Sequence, residues 1–335
     1  MKILKQEVNE DLFFYAPLES EKIEGLAGTP VSFWSEAWRR LRKNRGAFLG
    51  LLTIILISLM ALFGPFLNGN SGMDQDLALS NLPPKVDGLG FLGFDGKDVN
   101  GKDQYESREI DKNYWFGTDE FGRDLWNRVW KATQISLFIA IIAALLDLII
   151  GAVYGGISAF YGGPVDNGMQ RIIEVLIGIP NLIVIILFIL ILKPGITSII
   201  LAMVVTGWVG MARVVRGKIL QLKGQEYILA ARTLGSSNSK IILKHLFPNV
   251  MGSIIITLMF TIPTAIFFEA FLSFIGLGLQ PPMASLGVLI EDGYKSMRFF
   301  SYKLIFPAII ISVIMISFNL LGDGLRDALD PKMRK

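Results

Sequence analysis

Residues 47–66 read AFLGLLTIILISLMALFGPF and carry no charged side chain. A bilayer core about 30 Å thick is crossed by about 20 apolar residues of α-helix. Backbone groups without hydrogen bonds are costly in lipid, so a spanning segment of this kind is helical. The stretch therefore predicts a first transmembrane helix at residues 47–67.

Five further apolar blocks of similar length follow along the chain. They lie at approximately Ile135–Tyr154, Ile172–Leu192, Pro194–Ala212, Val250–Phe268 and Leu304–Leu321. Pro180, Pro263 and Pro307 fall inside three of these blocks, where the missing backbone N–H predicts a kink rather than a break. The sequence thus predicts an all-α polytopic membrane protein with six transmembrane helices.

The composition agrees with a membrane protein and excludes several kinds of site. Hydrophobic residues make up 52% of the 335 residues and charged residues 18%, against about 25% charged residues in an average soluble domain. There is no cysteine, which excludes disulfides, thiolate zinc sites and cysteine nucleophiles. A cleaved signal peptide is not expected, because its apolar core would lie within about the first 30 residues.

The distribution of lysine and arginine predicts the orientation in the membrane. Residues 39–45 contain five basic residues and no acid, and residues 213–249 contain seven basic residues and one acid. Residues 68–132 show the reverse bias, with eight basic and twelve acidic residues. Basic segments stay in the cytoplasm, so both termini are predicted to be cytoplasmic and residues 68–132 extracytoplasmic.

These observations predict the organisation of the chain. Residues 1–46 form a cytoplasmic N-terminal segment, residues 47–67 the first span and residues 68–132 an extracytoplasmic loop. The remaining five spans form a core at 133–322 that contains a cytoplasmic loop at 213–249, followed by a cytoplasmic tail at 323–335.

An amphipathic helix is predicted just before the first span. Thr29 followed by Pro30 is a typical helix start. Apolar residues then recur at helical spacing with arginines on the flanks: Phe33, Trp34, Ala37, Trp38 and Leu41. A helix lying in the inner membrane interface fits this pattern, and so does a soluble helix packed on a partner subunit.

Three motifs resemble ligand sites but lack the context that their chemistry needs. Gly88, Gly90 and Gly93 form a GxGxxG pattern in the predicted outer loop, without the strand and helix of a nucleotide fold. Gly287–Ser296 has the wrong glycine spacing for a phosphate-binding loop. In the acidic stretch 98–109, Lys102 and Asp103 stand where a calcium loop has a ligand and a glycine.

Polar residues inside the apolar blocks are expensive in lipid and commonly functional. Asp147 lies within the second predicted span and Glu269 just after the fifth, while Asn181 and Thr261 lie in the third and fifth. These four residues are candidates for lining a water-filled translocation path. Interhelical hydrogen bonds that fix packing are the alternative explanation, and for the acidic residues we favour it.

The cytoplasmic connection 213–249 contains a compact helical motif. Glu226–Leu234 is a good helix former, and Gly235 suits the left-handed position just past a helix end. Ser236–Asn238 can cap a second short helix that Pro248 stops before the fifth span. Ala230 and Ala231 leave a surface of little bulk that the backbone of a partner can approach closely.

This connection resembles the EAA loop of ABC importer permeases in the spacing of Ala230-Ala231, Gly235 and Pro248. That family usually has Glu where Leu229 stands, and the earlier Glu226 is similar to the peptide and nickel permease branch. His245 and Phe247 occupy positions that the general motif gives to Ile and Leu.

Three further segments resemble the same branch. Trp115–Asp124 resembles its segment before the second span, Glu269–Gly278 with Gln280-Pro-Pro resembles its loop after the fifth span, and Asn319–Pro331 resembles its C-terminal signature. Together with the N-terminal segment they cover nearly the whole chain except Asn68–Asn113. The resemblance is greatest to the C-type subunits of oligopeptide or dipeptide permeases.

The resemblance implies a type I ABC importer permease fold in a bacterial cell membrane. It implies a related second permease subunit as a heterodimer partner, two ABC ATPase subunits and an extracytoplasmic peptide-binding protein that delivers the substrate. The implied ATPase-coupling residues are Glu226, Tyr227, Ala230, Ala231, Arg232, Gly235 and Ser236. ATP and Mg²⁺ would bind the partner subunits, so no cofactor, metal, catalytic residue or nucleic-acid partner is expected for this chain.

Other functions remain open on the sequence. Within the family, a nickel or dipeptide permease is the alternative to an oligopeptide permease, and the long acidic segment 68–132 favours peptide over nickel. An ion channel would need a pore ring or filter, and a membrane enzyme would need converging titratable groups. The sequence shows neither pattern.

Overall fold

The computed structural model describes residues 33–329, and every regular element in that range is helical. The predicted helix start at Thr29-Pro30 and the residues beyond Leu329 lie outside the described range. The ten principal helices are α1 (Phe33–Lys43), α2 (Arg45–Phe63), α3 (Leu125–Tyr161), α4 (Gly163–Gly178), α5 (Asn181–Leu192), α6 (Ile196–Lys223), α7 (Glu226–Thr233), α8 (Asn238–Leu277), α9 (Leu286–Ser296) and α10 (Tyr302–Leu329).

Five helices are long and apolar enough to cross a membrane, namely α2, α3, α6, α8 and α10. The third predicted span, Ile172–Leu192, is not one straight helix. It is the pair α4 and α5, bent by 82°, which makes a sixth span if the pair counts as one. The kink predicted at Pro180 was therefore wrong: the helix breaks there, because Pro180 has no N–H and forces Ile179 into an extended conformation (φ −96°, ψ 126°).

Other helix ends differ from the predicted boundaries. Helix α3 begins at Leu125, inside the predicted outer loop, because the Asp124 side chain caps it by accepting from the Asn127 N–H at 3.0 Å. Helix α10 extends to Leu329, into the predicted tail. Helices α8 and α10 continue through Pro263 and Pro307 without a break.

Among the described helices, α3 and α6 make the most extensive contact, and it depends on glycine. A Cβ at Gly151 would lie 2.6 Å from the Trp208 carbonyl oxygen, and one at Gly155 would collide with the Ala212 carbonyl. Small residues allow helix backbones to approach closely in a membrane, where packing rather than water exclusion drives association. The two helices are therefore packed too tightly to accept larger residues at these positions.

The segment between α2 and α3, which is the predicted outer segment, has its own small core. Leu82, Tyr105 and Tyr114 are buried together, and the Tyr105 hydroxyl donates to the Pro83 carbonyl at 2.8 Å. Asp119 accepts hydrogen bonds from Arg123 at 2.7 Å and from Arg128, on α3, at 2.8 Å. Buried ion pairs hold this segment against the N-terminal end of α3.

Helix α9 was not predicted from the sequence. Its first turn is capped by Ser285, whose hydroxyl accepts from the Val288 N–H at 3.4 Å. At Gly287 a Cβ would lie 2.5 Å from the Ala270 Cα of α8, so the two helices touch backbone to backbone. Eleven residues are too few to span a bilayer, and hydropathy alone did not reveal this helix.

Candidate functional site

The connection between α6 and α8 forms a helix, a tight turn and the start of the next helix. Helix α7 spans Glu226–Thr233, one residue shorter than predicted. Gly235 has φ +77°, the left-handed conformation that the sequence predicted. Its N–H donates to the Arg232 carbonyl at 3.0 Å, and the Ser236 N–H donates to the Ala231 carbonyl at 3.0 Å. This pair of bonds is the Schellman arrangement, which closes the helix end and fixes the turn.

One side chain holds α7 against the transmembrane bundle. Ile228 is fully buried, in a cluster that includes Phe160 of α3, Ile219 of α6 and Ile241 of α8. The Arg232 guanidinium also lies 5.8 Å from the centre of the Phe160 ring, at a distance that suits a cation–π contact. Motion of α7 would therefore act directly on the adjacent ends of α3, α6 and α8. Ile228 was not predicted as a site residue, although its position one turn before Arg232 places both on one helix face.

The rest of α7 presents an exposed, partly apolar surface. Tyr227 is 43% exposed and Leu229 49% exposed, and Leu234, just before the turn, is 85% exposed. Glu226, Ala230 and Arg232 are exposed as well, while Ala231 and Ser236 are partly buried. Clustered exposed apolar side chains on a short, rigid helix are typical of a surface that binds another protein.

The second helix of the connection is not short, so that part of the prediction was wrong. Ser237 caps it as expected, accepting from the Lys240 N–H at 3.4 Å. It then continues through a π-helical turn, Ile241–Leu246, into the fifth span. Pro248 does not stop it, and the helix continues through this residue in the first turn after the π-helical segment. The turn at Gly235 therefore joins α7 to a helix of 40 residues that crosses the membrane.

Asp147 lies where α3 meets α6. It is 6% exposed, and its Oδ1 is buried without a hydrogen-bond partner among the described residues. Both carboxylate oxygens lie against the Cα of Gly207, because a Cβ added there would collide with them. Burying an unpaired carboxylate is expensive, and intramembrane acids of this kind are commonly functional.

Glu269 is surrounded by hydroxyl groups and is fully buried. Ser136 of α3 donates to its Oε2 at 2.8 Å, and Ser273 of α8 donates to its Oε1 at 2.9 Å. The Ser136 oxygen also accepts from the Leu286 N–H of α9 at 3.1 Å. This network ties three helices together, as expected for an acid with a packing role.

Asn181 and Thr261 have different surroundings. Asn181 begins α5, directly after the bend, and its side-chain oxygen accepts from the hydroxyl of Thr206 on α6. Thr261 is partly buried and donates to the Thr257 carbonyl one turn earlier in α8, at 3.0 Å. Each of the four candidate path residues therefore contacts a different set of groups. Among residues 33–329, no cluster of three His, Asp or Glu side chains is placed to bind a metal ion.

Comparison with known families gives two matches along the chain. Residues 148–335 match the binding-protein-dependent transport system inner membrane component. Residues 32–84 match the N-terminal transmembrane domain of oligopeptide transport permease C. The first match covers the helices from the second half of α3 onward and includes α7, and the second covers α1, α2 and the start of the outer segment.

Individual relatives match over nearly the full length. The dipeptide transport system permease protein DppC of Bacillus subtilis is 44% identical over 330 residues, covering 98% of this chain and 95% of the relative. The oligopeptide transport system permease protein OppC of the same organism is 42% identical, covering 98% and 100%. The Escherichia coli K12 OppC is 38% identical over 315 residues, covering 94% and 95%.

Among solved structures, the inward-facing MetNI methionine ABC transporter contains a chain of similar fold. The match has a TM-score of 0.50 and 18% sequence identity, and it covers 60% of this chain and 96% of the other. At that identity the similarity concerns the fold alone.

Proposed function

Because this chain belongs to the binding-protein-dependent transport system inner membrane components, we propose that it is the membrane-spanning subunit of an ATP-driven oligopeptide importer. The observation that carries the proposal is the near full-length identity, 42–44%, to two peptide permeases. The family description itself implies an external binding protein. The structure supports a transport role through its five or six membrane helices and through an exposed helix between two of them.

The substrate class is a peptide, and two peptide sizes have support. The match to the N-terminal domain of oligopeptide permease C favours oligopeptides. Dipeptides are the second candidate, because the 44% identical relative is named for dipeptide transport. The oligopeptide and dipeptide hypotheses assign the same structural roles to this chain.

The proposed partners follow from the family to which the chain belongs. A related permease subunit completes the translocation path. Two ABC ATPase subunits bind on the cytoplasmic side, and a peptide-binding protein delivers substrate from outside. ATP and Mg²⁺ bind the ATPase subunits. The exposed apolar residues of α7, Tyr227, Leu229 and Leu234, support a protein partner on the cytoplasmic side.

We assign α7 the coupling role, in which closure of the ATPase subunits moves the transmembrane helices. A helix transmits a displacement only if both of its attachments are rigid. The Schellman turn at Gly235 provides one attachment and the buried Ile228 provides the other. Rocking of these helices then exposes the path to one side of the membrane at a time.

The polar residues divide into two roles in this proposal. We assign Asp147 to the path, since its Oδ1 has no partner among the described residues and water or substrate would offset the cost of burying it. Glu269 instead stabilises packing through its serine contacts. Both chain termini lie in the cytoplasm of a bacterial cell membrane, on the charge bias of residues 39–45, 68–132 and 213–249.

The function is tested by deleting the gene and measuring uptake of labelled dipeptides and longer peptides. We expect the deletion strain to lose uptake of oligopeptides, to resist toxic peptides and to recover with the wild-type chain. Loss of dipeptide uptake alone would select the second candidate. Intact peptide uptake together with loss of nickel-dependent enzyme activity would overturn the peptide assignment.

A further inference from the structure

Helix α1 is joined to the first spanning helix by one residue, Asn44. The Asn44 side chain caps α2 by accepting from the Ala47 N–H at 3.2 Å, and its backbone is extended (φ −81°, ψ 102°). Because the charge-free part of α2 begins at Gly46, α1 lies where the chain enters the membrane.

One face of α1 is packed within the chain. Ala37 is 7% exposed and Leu41 5% exposed, and Leu41 lies in a cluster with Ala47, Leu321 and Leu325. These contacts hold α1 against the inner ends of α2 and α10. The packing accounts for that apolar face, so it is not free to bind a partner subunit.

The opposite face of α1 is exposed and basic. Trp38, Arg39, Arg42 and Lys43 are all exposed, together with Ser35 between them on the helix surface. The Arg42 guanidinium lies 5.8 Å from the centre of the Trp38 ring, and Trp38 is 48% exposed. An indole with a guanidinium over it presents apolar surface and positive charge side by side, a combination suited to a membrane interface.

Among residues 33–329, the exposed positive charges on this face and at the start of α2 have no acidic partner. Arg40 pairs with Glu36, but Arg39, Arg42, Lys43 and Arg45 make no ion pair with any of residues 33–329. These four cations lie within seven residues and have no ion-pair partner among residues 33–329. Together they attract an anionic surface strongly at moderate ionic strength. The charge is concentrated on the side away from the buried face.

We propose that the exposed face of α1 binds the phosphate groups of anionic phospholipids at the membrane surface, with Trp38 inserted at headgroup depth. The lipids would hold α1, and with it the inner ends of α2 and α10, in a fixed position. The proposal rests on the transmembrane assignment of the proposed function, but not on the transported substrate.

The experiment uses the natural absence of cysteine. A fluorophore is attached to Ser35→Cys in the complete transporter, which is reconstituted in vesicles of mixed phosphatidylcholine and phosphatidylglycerol. Quenching is compared between vesicles with brominated phosphatidylglycerol and vesicles with brominated phosphatidylcholine. We expect the anionic quencher to be several-fold more effective, since each basic residue near an anionic surface strengthens attraction roughly fivefold.

The matched variants test whether the lipid preference depends on the charges of α1 or on the total charge of the protein. Combined Arg39→Gln, Arg42→Gln and Lys43→Gln should bring the quenching ratio close to one, as should high salt. Combined Lys102→Gln, Lys112→Gln and Arg298→Gln removes three exposed charges elsewhere and should leave the ratio unchanged. A ratio near one in the wild-type background, or the same ratio in both triple variants, would overturn the proposal.

A photoreactive group at Ser35→Cys identifies the partner directly. Adducts with phosphatidylglycerol support the proposal, whereas adducts mainly with an ATPase subunit would show that α1 binds protein instead. Because these measurements do not need transport, they are independent of peptide uptake. If peptide uptake is unaffected by the deletion but the lipid preference is observed, the lipid proposal stands. If peptide uptake is lost but no lipid preference is observed, only the lipid proposal is overturned.

Discussion

Arg216 of α6 forms a two-point ion pair with Asp166 of α4. Its Nε donates to Oδ1 at 2.7 Å and its Nη2 donates to Oδ2 at 2.6 Å. Ser158, near the end of α3, also donates to Oδ1 of Asp166. The pair therefore joins three helices at the end of the bundle where α7 is attached, and Asp166 itself is buried.

This ion pair predicts a measurable coupling energy. In a double-mutant cycle of Asp166→Asn and Arg216→Gln, each single change should lower thermal stability of the purified complex. The double variant should lose less than the sum, by about 1–3 kcal/mol, because hydrogen bonds to charged groups contribute at this level. Arg171→Gln and Glu174→Gln, an exposed pair on α4, provide a control cycle expected near zero. Strict additivity in the first cycle would contradict the stabilising role.

Gly235→Val should weaken the contact between this chain and the ATPase subunits, and so reduce both transport and substrate-stimulated ATP hydrolysis. A β-branched residue at φ +77° is strained by roughly 1–2 kcal/mol, so the turn and the orientation of α7 should change. We expect normal membrane insertion but reduced uptake, reduced substrate-stimulated ATPase activity and weaker recovery of the ATPase subunits. Ala231→Trp should act in the same direction through bulk. Gly217→Ala is the control, since Gly217 is helical and has open space at its Cβ.

Asp147→Asn should lower uptake without loss of the assembled complex. The change keeps the shape of the side chain but removes a carboxylate whose Oδ1 has no described partner. Initial uptake rates and the yield of purified complex measure the two effects separately. Thr264→Val, at an exposed position whose hydroxyl bonds only within α8, is the control for a lost polar group. A fall in complex yield with unchanged specific uptake would reassign Asp147 to packing.

Glu269→Gln should destabilise the protein more than it slows transport. An amide has one acceptor oxygen, so Ser136 and Ser273 cannot both keep their donated hydrogen bonds. We expect a loss of about 1–3 kcal/mol, measured by thermal unfolding in detergent. Ser136→Ala should weaken the same network and also release the Leu286 N–H. Full stability with abolished uptake would instead place Glu269 on the path.

The orientation can be tested with single cysteines in the cysteine-free chain. Asn100→Cys in the outer segment and Ser237→Cys after α7 are both at exposed positions. An impermeant thiol reagent added outside intact cells should label only the first, and the second should react after the membrane is opened. The reverse pattern would invert the topology and with it the cytoplasmic assignment of α7.

The sequence predicted much of the fold because the controlling properties are local. The length and charge of residues 47–66 predict a spanning helix, and Gly235 predicts a left-handed turn, each from a few adjacent residues. Helix α9 and the early start of α3 were missed for the converse reason. Both depend on caps and on contacts with other helices, which hydropathy does not report.

The candidate site could likewise be predicted only in part from the sequence. The exposed helix α7 could be predicted from Glu226, the two alanines and Gly235, since spacing along one helix fixes their relative positions. The roles of Ile228 and Phe160 could not, because they depend on how α7 is rotated against α3. The helix end predicted at Pro248 was wrong, because α8 continues through this residue, as it does through Pro263.

The sequence by itself therefore determined the apolar spans, the charge bias across the membrane and the family, all of which follow from composition and spacing along the chain. Only the tertiary structure decided which polar residues meet. Asp166 contacts Arg216 fifty residues away, Glu269 contacts Ser136 across 133 residues, and Asp147 is left without a hydrogen bond at Oδ1. These relationships depend on how each helix is rotated and how closely it approaches its neighbours, which is set by the fit of small and large side chains between helices.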